Sequence, residues 1–316
     1  MTPNGTVDDP SAPPIPQAGI SRRAFLRRNL AVVAAFGGGH GYAEGARLSV
    51  TRHRVPMPGL TATLRVAQLT DLHRSWCVSD GFLRRVVERV NALRPDIVAL
   101  TGDYVTLSSS YAGPCAQILA RLVAPMGRFA VLGNHDYGCD KHAGRGHLGA
   151  IDVSRALESA GITLLTRPDD LVSGHFIDRR PRNTNLRLPN GLQIVGIDDA
   201  SEGLPDCMDA YRGIDPRAPI LTLAHNPLFF GAIQYWGRSN RFRRCVTLSG
   251  HTHGGQVNLP FVTRQTLLRE YPNTAGWGPG PDSPICLYVS RGIGTISIPI
   301  RIRSLPEIAL FELTPA

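Results

Sequence analysis

The sequence predicts an α/β fold, in one domain spanning residues 44–316, and three observations predict it. Five short runs of β-branched or apolar residues, "LRVAQL", "DIVAL", "RFAVL", "PILTLA" and "CVTLS", read as strands. Each runs directly into a polar motif, in order "TDLH", "TGDY", "GNHD", "HNP" and "GHTHGG". The polar residues therefore sit at the carboxyl ends of strands, where open α/β sheets assemble their sites. Stretches with apolar residues at helical spacing lie between these strands, and strands alternating with helices are the pattern of α/β architecture.

Ahead of the first strand, residues 1–43 read as a leader. Met1 to Ile20 is rich in Pro, Gly, Asp and Ser and shows no periodicity. Then come "SRRAFLRR" and the apolar "NLAVVAAFGGG". Paired Arg22 and Arg23, followed by Phe25 and Leu26 before an apolar run, resemble a twin-arginine export signal. The run from Leu30 to Phe36 is far short of the ~20 apolar residues that span a bilayer. "GYA", ending at Ala43, places small residues where a signal peptidase reads. The expectation is export to the periplasm or cell envelope, with the twin-arginine machinery as a partner. That route carries folded proteins and suits a chain that loads a metal first.

Within the domain, "GFLRRVVERVNAL" sets Leu83, Val86, Val87, Val90 and Leu93 at helical spacing behind a cap at Ser79 or Asp80. "CAQILARLV" and "VSRALESAG" read as helices in the same way. Ser173 to Gly191 is a basic, inserted-looking stretch expected to form a hairpin reaching over the site. Leu228 to Cys245 interleaves aromatics with arginines. Phe229, Ile233 and Trp236 recur there at helical spacing, which suits either a helix buried against the sheet or contact with an acidic lipid surface.

A hydrophobic content of 42% is enough to build a large core, and a net charge of +9 favours anionic partners. Loss of the leader removes four arginines and two aspartates and leaves 9 − 2 = +7. No helix-turn-helix, RNA-binding or OB signature accompanies the charge, so no dedicated nucleic-acid function is read from it. The six cysteines show no CxxC spacing and do not make a zinc ribbon. Cys77 and Cys139 follow two of the polar motifs, and a disulfide between them is the pairing an oxidising compartment would allow.

The polar motifs carry the chemistry. Asp71 and His73, two apart, point to one side of an extended backbone and grip one ion together. Asp103 can bridge two ions through its two carboxylate oxygens. Asn134, His225, His251 and His253 add an amide oxygen and three imidazoles. Carboxylate, amide and imidazole together suit manganese, iron or zinc better than calcium, and the absence of thiolates argues against a structural zinc site. An isolated Asp-x-His or "GD" arises by chance, whereas five such pieces in order on strand ends do not. His40, His53, His142, His147 and His175 lack that setting and are read as surface or core residues.

The series "DLH", "GDY", "GNHD", "AHNP" and "SGHTHGGQ" resembles the calcineurin-like metallophosphoesterase superfamily, and the tail "LYVSRGIG…IPIRI…PEI" resembles its YkuE/YaeI-like branch of exported phosphodiesterases. The resemblance covers essentially the whole chain after the leader. It implies a sandwich of two mixed β-sheets flanked by helices, four layers in all, with two divalent ions at the strand ends. By position, one ion would take Asp71, His73, Asp103 and His253, and the other Asp103, Asn134, His225 and His251. A water activated between them would attack phosphorus, with His135 protonating the leaving oxygen or stabilising the charge. Asp136 would either orient His135 or cap its loop. Arg291, Arg301 and Arg303 would face an anionic substrate.

"GDYVTLS" has Thr106 where the superfamily's phosphoprotein phosphatases carry the second Asp of "GDxVDRG", which speaks against a Ser/Thr protein phosphatase. The implied activity is hydrolysis of phosphodiester or pyrophosphate bonds. Since relatives in the superfamily cleave the pyrophosphate of a UDP-linked acylated sugar, the substrate class extends to lipid-linked compounds met at a membrane surface. A metal-binding envelope protein without turnover is the rival reading, but it would go with loss of His135 or the bridging Asp103, and both are present.

Overall fold

Two six-stranded sheets stack face to face, and each carries helices on its outer surface. The computed structural model describes residues 45–106, 108–138, 146–168, 183–258, 271, 273–296 and 298–315. The predicted leader and residues 173–182 of the predicted hairpin lie outside the described residues. The first sheet has the order β1-β12-β2-β3-β4-β5, from Ser49–Pro56, Glu307–Thr314, Leu64–Leu69, Ile97–Thr101, Arg128–Val131 and Thr163–Leu164. The second has the order β10-β11-β9-β8-β7-β6, from Gly276–Trp277, Ile285–Val289, Arg244–Ser249, Pro219–Ala224, Gln193–Ile197 and Asn185–Arg187. Both sheets are mixed. β2, β3, β4 and β5 run parallel, as do β7, β8, β9 and β11, while β12 against β2, β6 against β7 and β10 against β11 are antiparallel.

The period-two alternation of each strand decides which layer a residue joins. In β2, Leu64 and Val66 face the other sheet, while Ala67 and Leu69 face helices. In β8, Leu221 and Leu223 point inward, and Ile220 and Ala224 point outward. Both faces are covered, which is why these strands read as continuous apolar runs. Helices α1 (Asp80–Ala92), α2 (Ala112–Leu119) and α3 (Gly146–Ser159) close the first sheet, and α4 (Cys207–Ala210) and α5 (Phe230–Ser239) close the second. Burial of each Leu or Val in these layers contributes about 1.5–3 kcal/mol.

α1 begins as its sequence predicts. The Ser79 hydroxyl accepts from the Phe82 N–H, and Leu83, Val86, Val87 and Val90 are buried. Of the stretch predicted as a hairpin, the described residues supply only β6 and the turn after it, which pair antiparallel with β7 beyond that stretch, and the remainder lies outside the described residues. α5 buries Phe230, Ile233 and Gly237, with Phe229 and Trp236 half-buried beside them, so the core reading of that helix holds. Cys77 is a free thiol, so the disulfide expected for it is not formed; Cys139 lies outside the described residues.

The parallel strands all deliver their carboxyl ends to one edge of the sandwich. The Asp71 N–H donates to Gly102 O (3.0 Å), and the Gly250 N–H donates to His225 O (3.0 Å), so neighbouring strand ends are tied together.

Candidate metal centre

Five of the seven predicted ligands adopt left-handed backbone: Asp71 (φ 53°), His73 (48°), Asp103 (58°), His251 (73°) and His253 (54°). The extended backbone expected to align Asp71 with His73 is therefore not what brings them together. The chain turns sharply at each of them as it leaves its strand, and the turn aims both side chains into the seam between the sheets. Such conformations cost of order 1–3 kcal/mol each in non-glycine residues and persist where the surrounding structure enforces them. Gly250 is part of that enforcement: a Cβ there would collide with Thr70 Oγ1 and Asp71 Oδ2.

The first group of ligand atoms is Asp71, His73 and His253, all buried. His253 Nε2 lies 3.3 Å from Asp71 Oδ1 and 2.9 Å from His73 Nε2. The second group is Asp103, His225 and His251. His225 Nε2 lies 3.2 Å from Asp103 Oδ2 and 3.2 Å from Asn134 Oδ1, and Asn134 Oδ1 is 2.8 Å from His251 Nδ1. Asp103 Oδ2 joins the groups, being also 3.5 Å from His73 Nε2. Its other oxygen accepts the His135 N–H at 2.8 Å, so a single oxygen faces both groups where two were expected to share the task. His251 and His253 thus go to different groups.

The donor set fits divalent metal. His225 Nδ1 lies 2.7 Å from Thr101 O, a pure acceptor, so Nδ1 carries a hydrogen and Nε2 points into the cluster. There Nε2 faces the oxygens of Asp103 and Asn134 and the Nδ1 of His251, a convergence of lone pairs that suits a metal ion or a proton. Outer partners fix two further rings: Thr106 Oγ1 is 2.5 Å from His73 Nδ1, and Tyr271 OH is 2.8 Å from His251 Nε2. Outer hydrogen bonds of this kind hold ligand imidazoles in orientation.

Electrostatics agree. Burial pushes His73 and His253 well below the usual histidine range and takes His251 down to about 3, so these rings are neutral at neutral pH. Burial also opposes a charge on His225, but Asp103, Asp71 and Asp199 outweigh it and raise His225 well above that range. A proton on His225 is a place-holder for positive charge. Binding of Mn²⁺ to the metal-free chain at neutral pH is therefore expected to release at least one proton per chain, and affinity should fall with pH below the raised His225 value. Calorimetric titration in two buffers of different ionisation enthalpy measures this, and identical heats would show that His225 was neutral beforehand.

His135 is half-buried and stands edge-on to His73, with ring centroids 4.8 Å apart. Its ring also comes within ligand range of His73 and Asp103. Asp136 accepts the N–H groups of Asp103 (2.9 Å), Tyr104 (2.8 Å), Val105 (3.3 Å) and Gly133 (2.9 Å), binding the loops after β3 and β4 to each other. Of the two roles expected for Asp136, this is the capping one.

Arg301 corrects an expectation. It is fully buried, and its guanidinium donates to the carbonyls of Gly294, Arg291, His253 and Ser304, so it does not face substrate. Arg301 instead braces the backbone around His253. Arg291 sits 3.4 Å from buried Glu307, and Arg303 is exposed.

Sequence reasoning missed Tyr271, which no motif marks, and took Thr106 only as a departure from other phosphatases. It also passed over "LQIVGIDDA", where a sixth strand runs into Asp198 and Asp199 in the same strand-then-polar pattern.

Residues 64–255 match the calcineurin-like phosphoesterase family. The chain is 30% identical over 308 residues to the metallophosphoesterase YkuE of Bacillus subtilis, covering 93% of this chain and 98% of YkuE. It is 30% identical over 305 residues to the UDP-2,3-diacylglucosamine pyrophosphatase LpxG of Chlamydia trachomatis, covering 86% and 91% of the two chains. It is 29% identical to the phosphodiesterase YaeI of Escherichia coli, covering 93% and 99%. With strand ends that deliver a buried Asp/His cluster suited to divalent metal, and with that match across most of the domain, the chain belongs to the calcineurin-like phosphoesterase family.

Proposed function

We propose that the protein hydrolyses phosphodiester or pyrophosphate bonds with two divalent ions, of manganese, iron or zinc, held by Asp71, His73, Asp103, Asn134, His225, His251 and His253. The observation that carries this reading is the single oxygen of Asp103 facing both ligand groups, 3.5 Å from His73 Nε2 and 3.2 Å from His225 Nε2. Bound there, the ions would lower the pKa of water, align the phosphate and neutralise its charge. His135, beside the cluster and partly open to solvent, is placed to give a proton to the leaving oxygen. Burial holds its imidazole below the usual range, so at neutral pH it is neutral and has one N–H to donate.

The lipid-linked reading has its own support. Among the described residues, Leu204, Met208, Leu228 and Tyr235 are four of the six exposed large apolar side chains. They lie on α4, α5 and the loops before them, and those loops follow the strand ends of β7 and β8. Asn226 Nδ2 donates to Ser201 Oγ (2.9 Å) and joins the two loops. LpxG is a UDP-2,3-diacylglucosamine pyrophosphatase, and exposed apolar side chains on the elements that follow β7 and β8 suit acyl chains or peripheral contact with an anionic membrane. The leader "SRRAFLRR" supports export by the twin-arginine route to the periplasm or cell envelope. No helix among the described residues is long and apolar enough to cross a membrane.

The test is to strip the chain from Glu44 onward of metal, titrate it with Mn²⁺ and assay bis-p-nitrophenyl phosphate beside UDP-2,3-diacylglucosamine. Metal-dependent cleavage of both is expected, with the lipid-linked compound the better substrate. Metal binding without cleavage of either would favour the metal-binding protein without turnover.

A further inference from the structure

β7 and β8 run parallel with Ile197 beside Ala224, so Asp198 and Asp199 leave β7 alongside His225 and Asn226. The two aspartates are used differently. Asp198 Oδ1 accepts from the Tyr137 hydroxyl (2.6 Å) and the Asp199 N–H (2.9 Å), and Oδ2 accepts the Leu204 N–H (2.9 Å). Asp199 has no exposed surface, and its Oδ1 accepts the N–H groups of Ser201 (2.8 Å) and Glu202 (2.9 Å). Its Oδ2 is buried without a hydrogen-bond partner, and no Lys or Arg among the described residues pairs with it.

A buried carboxylate with one idle oxygen and no counter-ion is costly unless a cation answers it. Asp199 leaves β7 across from Asn226, the residue that follows His225, a predicted ligand of the second ion, and Asn226 is tied back to the Asp199 loop through Ser201. Turn capping does not account for the residue, because Oδ1 alone does that and a neutral Asn would do it as well.

We propose that Asp199 is a positioning residue of the second metal site, whose charge compensates the ion held by Asp103, Asn134, His225 and His251 without ligating it directly. The inference rests on the two-ion reading above. Asp199 adds a buried carboxylate with a free oxygen at the end of β7, next to the strand that carries His225 and away from the Asp71–His73 strand end. It therefore tunes the second site selectively and leaves the Asp71–His73–His253 group alone.

The experiment is Mn²⁺ binding to the whole exported chain, followed by electron paramagnetic resonance of free and bound ion, in three variants. Asp199→Asn removes the charge and keeps the turn-capping oxygen; Asp199→Ser keeps a capping hydroxyl if the amide folds poorly; Asp198→Asn alters the neighbour whose oxygens are both bonded. The expected result is that either Asp199 variant weakens the second ion about 10- to 100-fold, with the first ion bound as in the unaltered chain and Asp198→Asn without effect on either. Two ions bound with unchanged affinity in both Asp199 variants would overturn the proposal. So would an equal weakening of both ions, or the same loss in Asp198→Asn, since that marks a loop disturbed as a whole. If the unaltered chain binds fewer than two Mn²⁺ ions, the two-ion reading fails and this inference with it.

Discussion

Asp103→Asn is expected to lower metal-dependent hydrolysis by about 10²- to 10⁴-fold, the equivalent of the ~3–5 kcal/mol lost when one partner of a buried charge pair is removed. Asp103 is fully buried, its Oδ2 serves both ligand groups, and its Oδ1 accepts the His135 N–H. Asn retains that acceptor, so the loop carrying His135 keeps its anchor. What is lost is the negative charge that holds the two groups to a common centre. His225 would also lose the largest of the charges that raise its pKa, which shifts it back down. Hydrolysis of bis-p-nitrophenyl phosphate at saturating Mn²⁺, measured with metal stoichiometry, checks the result. A rate within a few-fold of the unaltered chain would remove Asp103 from the centre of the mechanism.

His135→Asn is expected to cost about 10²- to 10⁴-fold in kcat, the usual worth of a positioned general acid, while both ions stay bound. The geometry makes this a sharp test, because the His135 ring is also within ligand range of His73 and Asp103. A proton donor lost without a change in metal content leaves KM and stoichiometry nearly as they were. Loss of one ion would instead make His135 a ligand. A substrate with a good leaving group needs less protonation, so the defect should be larger for an alkyl diester than for a nitrophenyl one.

The strands and most of the site were legible because local chemistry announces them. "LRVAQL" and "CVTLS" are apolar on both faces since each lies in a covered sheet, and the polar motif after each can only begin where that cover ends. The short β5, β6 and β10 carry too few residues for a periodic signal. The insertion of β12 between β1, to which it runs parallel, and β2, to which it runs antiparallel, pairs the two ends of the domain, which no local pattern encodes. The buried role of Arg301 was illegible for a similar reason: an arginine in a basic chain reads as solvated, and its enclosure by four carbonyls exists only once the tail folds back over the His253 loop.

Residue type and order, by themselves, determined the α/β class, the family and which Asp, Asn and His side chains leave the strand ends for the candidate metal centre. Tertiary structure alone decided that Asp103 meets both groups through one oxygen, that Asp136 clamps two loops and that Asp198 and Asp199 leave β7 alongside His225 and Asn226. Those are relations between segments dozens of residues apart. They depend on how two sheets stack and how five left-handed turns aim their side chains, which are distances set by packing and not by sequence spacing.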